Sequence, residues 1–93
     1  MQKMQVLMQY GKVLSESLMS LSELYGTIDD IFESCGISKG DRGFFLGTGE
    51  NDEEKFTLAI ERLMEKDWFL PNVKVWIWVK GEIKEDLKAE YCK

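Results

Sequence analysis

The sequence predicts a small α+β domain, and two stretches of the 93-residue chain support that prediction most directly. The segment Asn72–Lys80, NVKVWIWVK, alternates between two kinds of side chain in the way that a β-strand does. The segment Asp52–Asp67 carries apolar residues at helical spacing behind an acidic first turn, which is typical of an amphipathic helix. A chain of this length is expected to form one domain over residues 1–93, with helices packed on a small antiparallel sheet.

An apolar stripe runs from residue 4 to residue 35 with alternating spacings of three and four. Its positions are Met4, Leu7, Gly11, Leu14, Leu18, Leu21, Tyr25, Ile28, Phe32 and Cys35. This spacing predicts N-terminal helices that pack along a seam. We expect a first helix to about residue 25 and a second over Ile28–Cys35, because Gly26 favours a break and Thr27 and Asp30 have capping-box spacing. One continuous helix is the alternative, and the seam is either internal core or a homodimer surface.

Residues 38–51, SKGDRGFFLGTGEN, form a glycine-rich connection. A short strand near 42–46 is the expected partner of the strand over 73–80. The segment Gly47–Thr48–Gly49 is a poor phosphate cradle, because acidic residues follow it in place of a P-loop lysine. We expect Asn51 to cap the next helix, with Glu54 completing a capping box.

The strand over 73–80 has two different faces. Apolar side chains fill one face, which we expect to be core: Val73, Val75, Ile77 and Val79. Trp76 and Trp78 share the other face, with Lys74 and Lys80 at its ends. This second face either contacts a partner or lies beneath a further helix.

The C-terminal segment is expected to be a short amphipathic helix over residues 82–93, after a turn at Gly81. Its apolar side would carry Ile83, Leu87 and Tyr91. The preceding acidic helix is expected to end before Pro71, which disfavours helix in the residue before it.

Composition and charge exclude several classes of function. The net charge of −5 and the pI near 4.7 argue against electrostatic binding of nucleic acid or of an anionic membrane. The chain contains no histidine, which excludes histidine zinc sites and histidine-based catalytic triads. Cys35 and Cys92 form no CxxC motif and are expected to be reduced thiols. Without a signal-peptide pattern or a long apolar run, the expected location is the cytoplasm.

These exclusions favour a binding protein over an enzyme, and we expect no catalytic residue, cofactor or metal. The predicted function is a small acidic protein-binding module, of the inhibitor or immunity type, that blocks a macromolecular partner; the charge favours a basic protein. The predicted contact residues are Trp76, Trp78, Lys74, Glu50, Asp52, Glu53 and Glu54. The alternatives are a structural homo-oligomer assembled through the 4–35 seam, and a small-ligand-binding domain that uses the tryptophan face.

Overall fold

A layer of helices packs against one face of a five-stranded antiparallel sheet. The computed structural model describes residues 2–9 and 21–91. Within these residues the chain forms β1 (Gln2–Met8), α1 (Leu21–Ser34), β2 (Ser38–Lys39), β3 (Phe44–Leu46), α2 (Asp52–Met64), α3 (Phe69–Asn72), β4 (Val73–Lys80), β5 (Ile83–Asp86) and α4 (Leu87–Tyr91). The predicted α+β class is confirmed, together with the strand at 73–80, the short strand near 42–46 and the acidic helix. The predicted pairing of these two strands with each other is wrong, because β1 lies between β3 and β4 in the sheet.

β1 is the central strand of the sheet, whose strand order is β2-β3-β1-β4-β5. It pairs antiparallel with β4 along its whole length and with β3 on its other side. The predicted helix is therefore wrong at residues 4–8. Met4, Val6 and Met8 are buried at a spacing of two, which is the period of a strand. Residues 10–20 of the first predicted helix lie outside the described residues, and its last part, over 21–25, is helical as the start of α1.

β4 turns its tryptophans to the core, which is the predicted alternative in which this face lies beneath helices. Trp76 and Trp78 are 0% and 5% exposed, whereas Val75, Ile77 and Val79 are half-buried on the other face of the sheet. The prediction that the valine face is core is wrong at these three positions. The helices cover the tryptophan face because it buries more apolar area than the valine face: each aromatic side chain buries about 150–250 Å².

A β-bulge near the start of β4 explains why Val73 is nevertheless buried. Leu7 pairs with Val75, but the next residue of β1, Met8, pairs with Val73, so Lys74 is the extra residue. An extra residue reverses the alternation of side chains along the strand. Val73 therefore enters the core while Lys74 is exposed.

α1 passes through Gly26 without a break, so the predicted interruption there is wrong. The Thr27 hydroxyl donates to the Glu23 carbonyl one turn earlier, at 3.0 Å, instead of capping a new helix. A single glycine inside a helix costs only about 1 kcal/mol relative to alanine. Burial of the apolar face of α1, which includes Leu24 and Ile28, outweighs that cost.

α1 ends at Ser34, within one residue of the predicted limit at Cys35, and Gly36 terminates it. Gly36 has a left-handed backbone, with φ of +79°. Its N–H donates to the Glu33 carbonyl and the Ile37 N–H donates to the Phe32 carbonyl, at 3.0 and 2.9 Å. This pair of bonds is a Schellman motif, which satisfies carbonyls that the helix itself leaves free.

α2 follows Asn51 as predicted, but the Asn51 side chain does not cap it. Asn51 has a left-handed backbone (φ 54°) and its side chain makes no capping hydrogen bond, so the predicted capping box with Glu54 is wrong. The helix ends at Met64, before the predicted end. Its core face is apolar and consists of Phe56, Ala59, Ile60 and Leu63.

The C-terminal segment is a strand followed by a helix, rather than a helix throughout. Lys80 pairs with Ile83 across a two-residue turn that contains Gly81, whose φ is +63°, and such turns favour residues with positive φ. The predicted helix is confirmed over 87–91 and is wrong over β5. The Asp86 carboxylate accepts a hydrogen bond from the Ala89 N–H at 3.1 Å, which starts α4.

The core lies on one side of the sheet, between the strands and the helices. Phe32 of α1 stacks on Phe45 of β3 with ring centres 4.0 Å apart, and Phe56 of α2 lies edge-on to Phe32 at 6.3 Å. The residues on the opposite face of the sheet contribute nothing to this core, and no helix of the described residues packs on them. We call that opposite face the outer sheet face.

Candidate interaction surfaces

The two tryptophans predicted to contact a partner lie inside the core. The ring of Trp76 packs edge-on against Phe69, with ring centres 4.9 Å apart. Its Nε1 donates to the Met4 sulfur at 3.3 Å, and Nε1 of Trp78 donates to the Gln2 side-chain oxygen at 2.9 Å. Both indoles are buried and hydrogen-bonded within the chain, so a partner or flat ligand cannot reach them in this fold. This corrects their predicted role; the alternative, burial beneath helices, is what the structure shows.

The two lysines that flank the tryptophans have different environments. Lys74 is exposed at the bulge. The Lys80 ammonium lies 3.9 Å from the centre of the Trp78 ring, and 3.2 and 3.5 Å from carboxylate oxygens of Glu85 and Glu53. Burial alone would lower the pKa of Lys80, but the hydrogen bonds and charges of Glu85 and Glu53 raise it above its ordinary value. Lys80 therefore packs over the Trp78 ring at the edge of the core and carries its positive charge there.

Asp52 has a structural role rather than the predicted contact role. It is 6% exposed, and its carboxylate accepts hydrogen bonds from the backbone N–H groups of Gln2, Thr48 and Gly49, at 2.9–3.1 Å. Burial alone would raise the pKa of Asp52, but these three donors lower it below its ordinary value. A Cβ at Gly47 would collide with the same carboxylate, which is why the close approach needs glycine.

The other predicted acidic residues, Glu50, Glu53 and Glu54, are exposed at and before the start of α2. The exposed side of α2 extends from these residues toward the C-terminal end of the helix. We define the acidic helix face as Glu53, Glu54, Thr57, Leu58 and Glu61. These side chains line a shallow depression of about 280 Å³. Leu58 is 40% exposed there, so the face combines an exposed apolar side chain with three carboxylates.

The cations of α2 do not neutralise this face. The Lys55 ammonium donates to the Thr48 hydroxyl at 2.9 Å, and the Arg62 guanidinium donates to the Ser34 hydroxyl at 2.6 Å. Glu53 shares Lys80 with Glu85. Among the described residues, neither Glu54 nor Glu61 forms an ion pair.

A second depression, of about 460 Å³, lies between α1 and β2. Its lining includes Asp29, Glu33 and Lys39. The Lys39 ammonium lies 3.0 Å from an Asp29 carboxylate oxygen, so one acid of this depression is already paired. Within residues 2–9 and 21–91, no group of three metal-binding side chains comes together.

The outer sheet face is the surface that the sequence prediction missed. It carries six half-buried apolar side chains: Leu7, Phe44, Leu46, Val75, Ile77 and Val79. The alternation in β4 was the available signal, but it does not reveal which of the two faces the helices cover. That choice depends on β1, which the three-and-four spacing assigned to a helix.

The described residues of the predicted 4–35 seam do not form one continuous surface. Its described C-terminal part is internal core, because Ile28, Phe32 and Cys35 are buried against the sheet and α2. Its N-terminal end, Met4, is buried on the core side of β1.

Comparison with models of known protein families finds no match for this chain, and no curated protein sequence is similar to it. In the part of the chain that the structure describes, no helix is both long and apolar enough to cross a membrane. The function therefore has to be inferred from the surfaces themselves.

Proposed function

We propose that this protein is a small non-enzymatic protein-binding module that occupies a basic surface of another protein through its acidic helix face. The observation that supports this proposal is the exposure of Leu58, at 40%, between the carboxylates of Glu54 and Glu61, which form no ion pair with any described residue. These three residues lie on one side of α2, because positions four and three apart in a helix are neighbours. Occupying such a surface would block it, which is the inhibitor or immunity-type role that the acidic charge favours.

The apolar and charged parts of the face have different roles in binding. An exposed ion pair contributes only about 0.2–1 kcal/mol, so two glutamates alone would bind weakly. Full burial of a leucine side chain contributes about 1.5–3 kcal/mol, and Leu58, which is 40% exposed, has less than half of this left to gain. Leu58 and the two glutamates therefore contribute affinity of similar size, and Glu54 and Glu61 also orient a basic partner and accelerate its association.

The test is affinity capture from an extract of the source organism with two baits. One bait is the wild-type protein, and the other is a neutral-helix variant with Glu54→Gln, Leu58→Ser and Glu61→Gln. We expect the wild type to retain a basic protein and the variant to retain at least about tenfold less of that protein. The reason is that the variant loses more than about 1.4 kcal/mol of binding free energy. Titration of the purified captured protein by calorimetry then measures the difference directly.

A matched control variant carries the same kinds of change elsewhere: Asp30→Asn, Glu33→Gln and Ile83→Ser. All three side chains are exposed, and Ile83 is 62% exposed. The control variant has the same net charge as the neutral-helix variant and should retain the partner like the wild type. Equal retention by the wild-type and neutral-helix baits, or retention of no basic protein, would contradict the proposal.

A further inference from the structure

The outer sheet face has a cationic row across its three longest paired strands. Val79 of β4 lies between Lys3 of β1 and Lys84 of β5 in the sheet register. Both lysines are exposed, and the Lys3 ammonium lies 4.9 Å from the centre of the Phe44 ring, which places it over the apolar part of this face. Among the described residues, neither lysine forms an ion pair.

This face also carries an acidic residue, Asp86, whose carboxylate already accepts a hydrogen bond. Asp86 lies opposite Ile77 in the register of β4 and β5, and its carboxylate accepts the Ala89 N–H at the start of α4. The Asp86 carboxylate keeps its charge, so the face has an apolar centre and, from Lys3, Lys84 and Asp86 together, one excess positive charge, although the whole chain has a net charge of −5. The surface that would complement it is apolar with a rim of carboxylates.

The same molecule presents such a surface on its other side. The acidic helix face carries Leu58 with Glu54 and Glu61, and it points away from the core, because Phe56 and Ile60 on the opposite side of α2 are buried. We propose that the outer sheet face of one copy docks on the acidic helix face of a second copy. This inference rests on the proposed function. The basic surface that α2 recognises is then the outer sheet face of another copy, with its lysines.

The two faces lie on opposite layers of the molecule, so each copy keeps one face free after it has bound a neighbour. A contact between two different surfaces that does not close on itself continues into an open-ended assembly. The association is weak, because the five strands contain 24 residues in all, and at about 3.3 Å per residue and about 4.8 Å between strands they give a sheet area of roughly 400 Å². A standard interface buries about 800 Å² on each partner.

The first measurement is sedimentation velocity of the full chain from about 10 μM to about 1 mM at low salt, the range for a micromolar-to-millimolar association. We expect the average mass of the wild type to rise with concentration and not to stop at a dimer. Raising the salt to about 0.5 M should reduce the association, because surface charge pairs are screened. A wild type that stays monomeric throughout would overturn the inference.

The decisive measurement mixes two variants that each lack one face. The sheet variant carries Lys3→Glu and Lys84→Glu, and the neutral-helix variant is the one defined above. Each should remain monomeric alone, and an equimolar mixture should form a complex of two chains and nothing larger, since only one intact pair of faces is left. A control with Lys66→Glu and Lys88→Glu, equal in charge to the sheet variant, should assemble like the wild type.

The remaining outcomes separate this inference from the proposed function. A mass that stops at a dimer, unaffected by the neutral-helix changes, would mean that two sheet faces pack on each other, and it would overturn the head-to-tail contact. Failure of the two variants to form a complex would also overturn it. If either happens while the acidic helix face still captures a basic protein from the extract, the proposed function stands without self-assembly.

Discussion

Asp52 connects three segments of backbone: the start of β1, the glycine-rich loop before α2, and the first turn of α2 itself. Its carboxylate accepts the N–H groups of Gln2, Thr48 and Gly49. The loop that looked like a poor phosphate cradle in the sequence therefore does bind an anion, supplied by its own chain. The negative charge also lies at the positive end of the α2 dipole.

We predict that Asp52→Asn lowers the free energy of unfolding by about 1–3 kcal/mol at pH 7, because three backbone N–H donors lose a charged, buried acceptor. The pKa of Asp52 is lower in the folded protein than its ordinary value of 3.8. A carboxyl group with a depressed folded pKa stabilises the fold above its unfolded pKa, and this contribution is lost as the pH falls through the folded pKa. The difference between wild type and variant should therefore be constant above about pH 5 and shrink below about pH 4.

Urea unfolding followed by far-UV circular dichroism at pH 7, 5 and 3 measures this difference. Glu54→Gln is the matched control, because it makes the same kind of change two residues along α2 at an exposed position. It should change the free energy of unfolding by no more than about 0.5 kcal/mol. Equal effects of the two substitutions, or a difference that does not shrink in acid, would contradict the role assigned to Asp52.

Sequence reasoning could place Asp52 in the first turn of a helix but could not tell it from its neighbours. Glu53 and Glu54 have the same charge and are exposed, whereas Asp52 is buried. What separates them is the N–H of Gln2, which lies 50 positions away in the chain. Local rules of capping concern only the residues around a helix start, and they pointed to Asn51 instead.

At the scale of elements, β4 shows how one strand serves two surfaces. Its tryptophans anchor the core, and Val75, Ile77 and Val79 form the centre of the outer sheet face. The limits of β4 were predicted because alternation is a local pattern. The face of β4 that enters the core was not predicted, because the alternation is the same whichever of the two faces is buried.

We predict that adjacent substitutions on β4 differ sharply in their effect on stability. Trp76→Ala should lower the free energy of unfolding by about 3–5 kcal/mol, because it leaves a cavity among Met4, Phe69 and Tyr91. Val75→Thr, on the outer sheet face, should lower it by less than about 1 kcal/mol, since threonine suits a half-exposed strand.

Denaturant midpoints measured by circular dichroism provide the comparison. If Trp76→Ala does not fold, Trp76→Phe keeps the test usable, and it should still destabilise more than Val75→Thr. Similar midpoints for the Trp76 and Val75 variants would mean that β4 does not bury its tryptophan face in solution.

At the scale of the whole molecule, the sheet order brings the two ends of the described chain together. Met4 and Trp76 are in contact although 72 positions separate them in the sequence. Neither the central position of β1 nor the placement of Lys3 and Lys84 on the outer sheet face can be read from local patterns, because both depend on that long-range pairing. Local patterns predicted the class of the fold, and the strand pairing decided which surfaces the described helices leave uncovered.

The helices and the sheet share one buried cluster, which includes Ile28 of α1, Phe45 of β3 and Trp76 of β4. We therefore predict that they unfold together as one domain. Ile28→Val should destabilise the protein by about 0.5–1.5 kcal/mol and shift the unfolding midpoints from tryptophan fluorescence and from far-UV circular dichroism equally, because the indoles lose their environment when α1 leaves. Ile83→Val makes the same change at an edge position that is 62% exposed and should shift neither midpoint measurably. Separate transitions for the two probes would show that α1 and the sheet are independent units, and the prediction of one domain would fail.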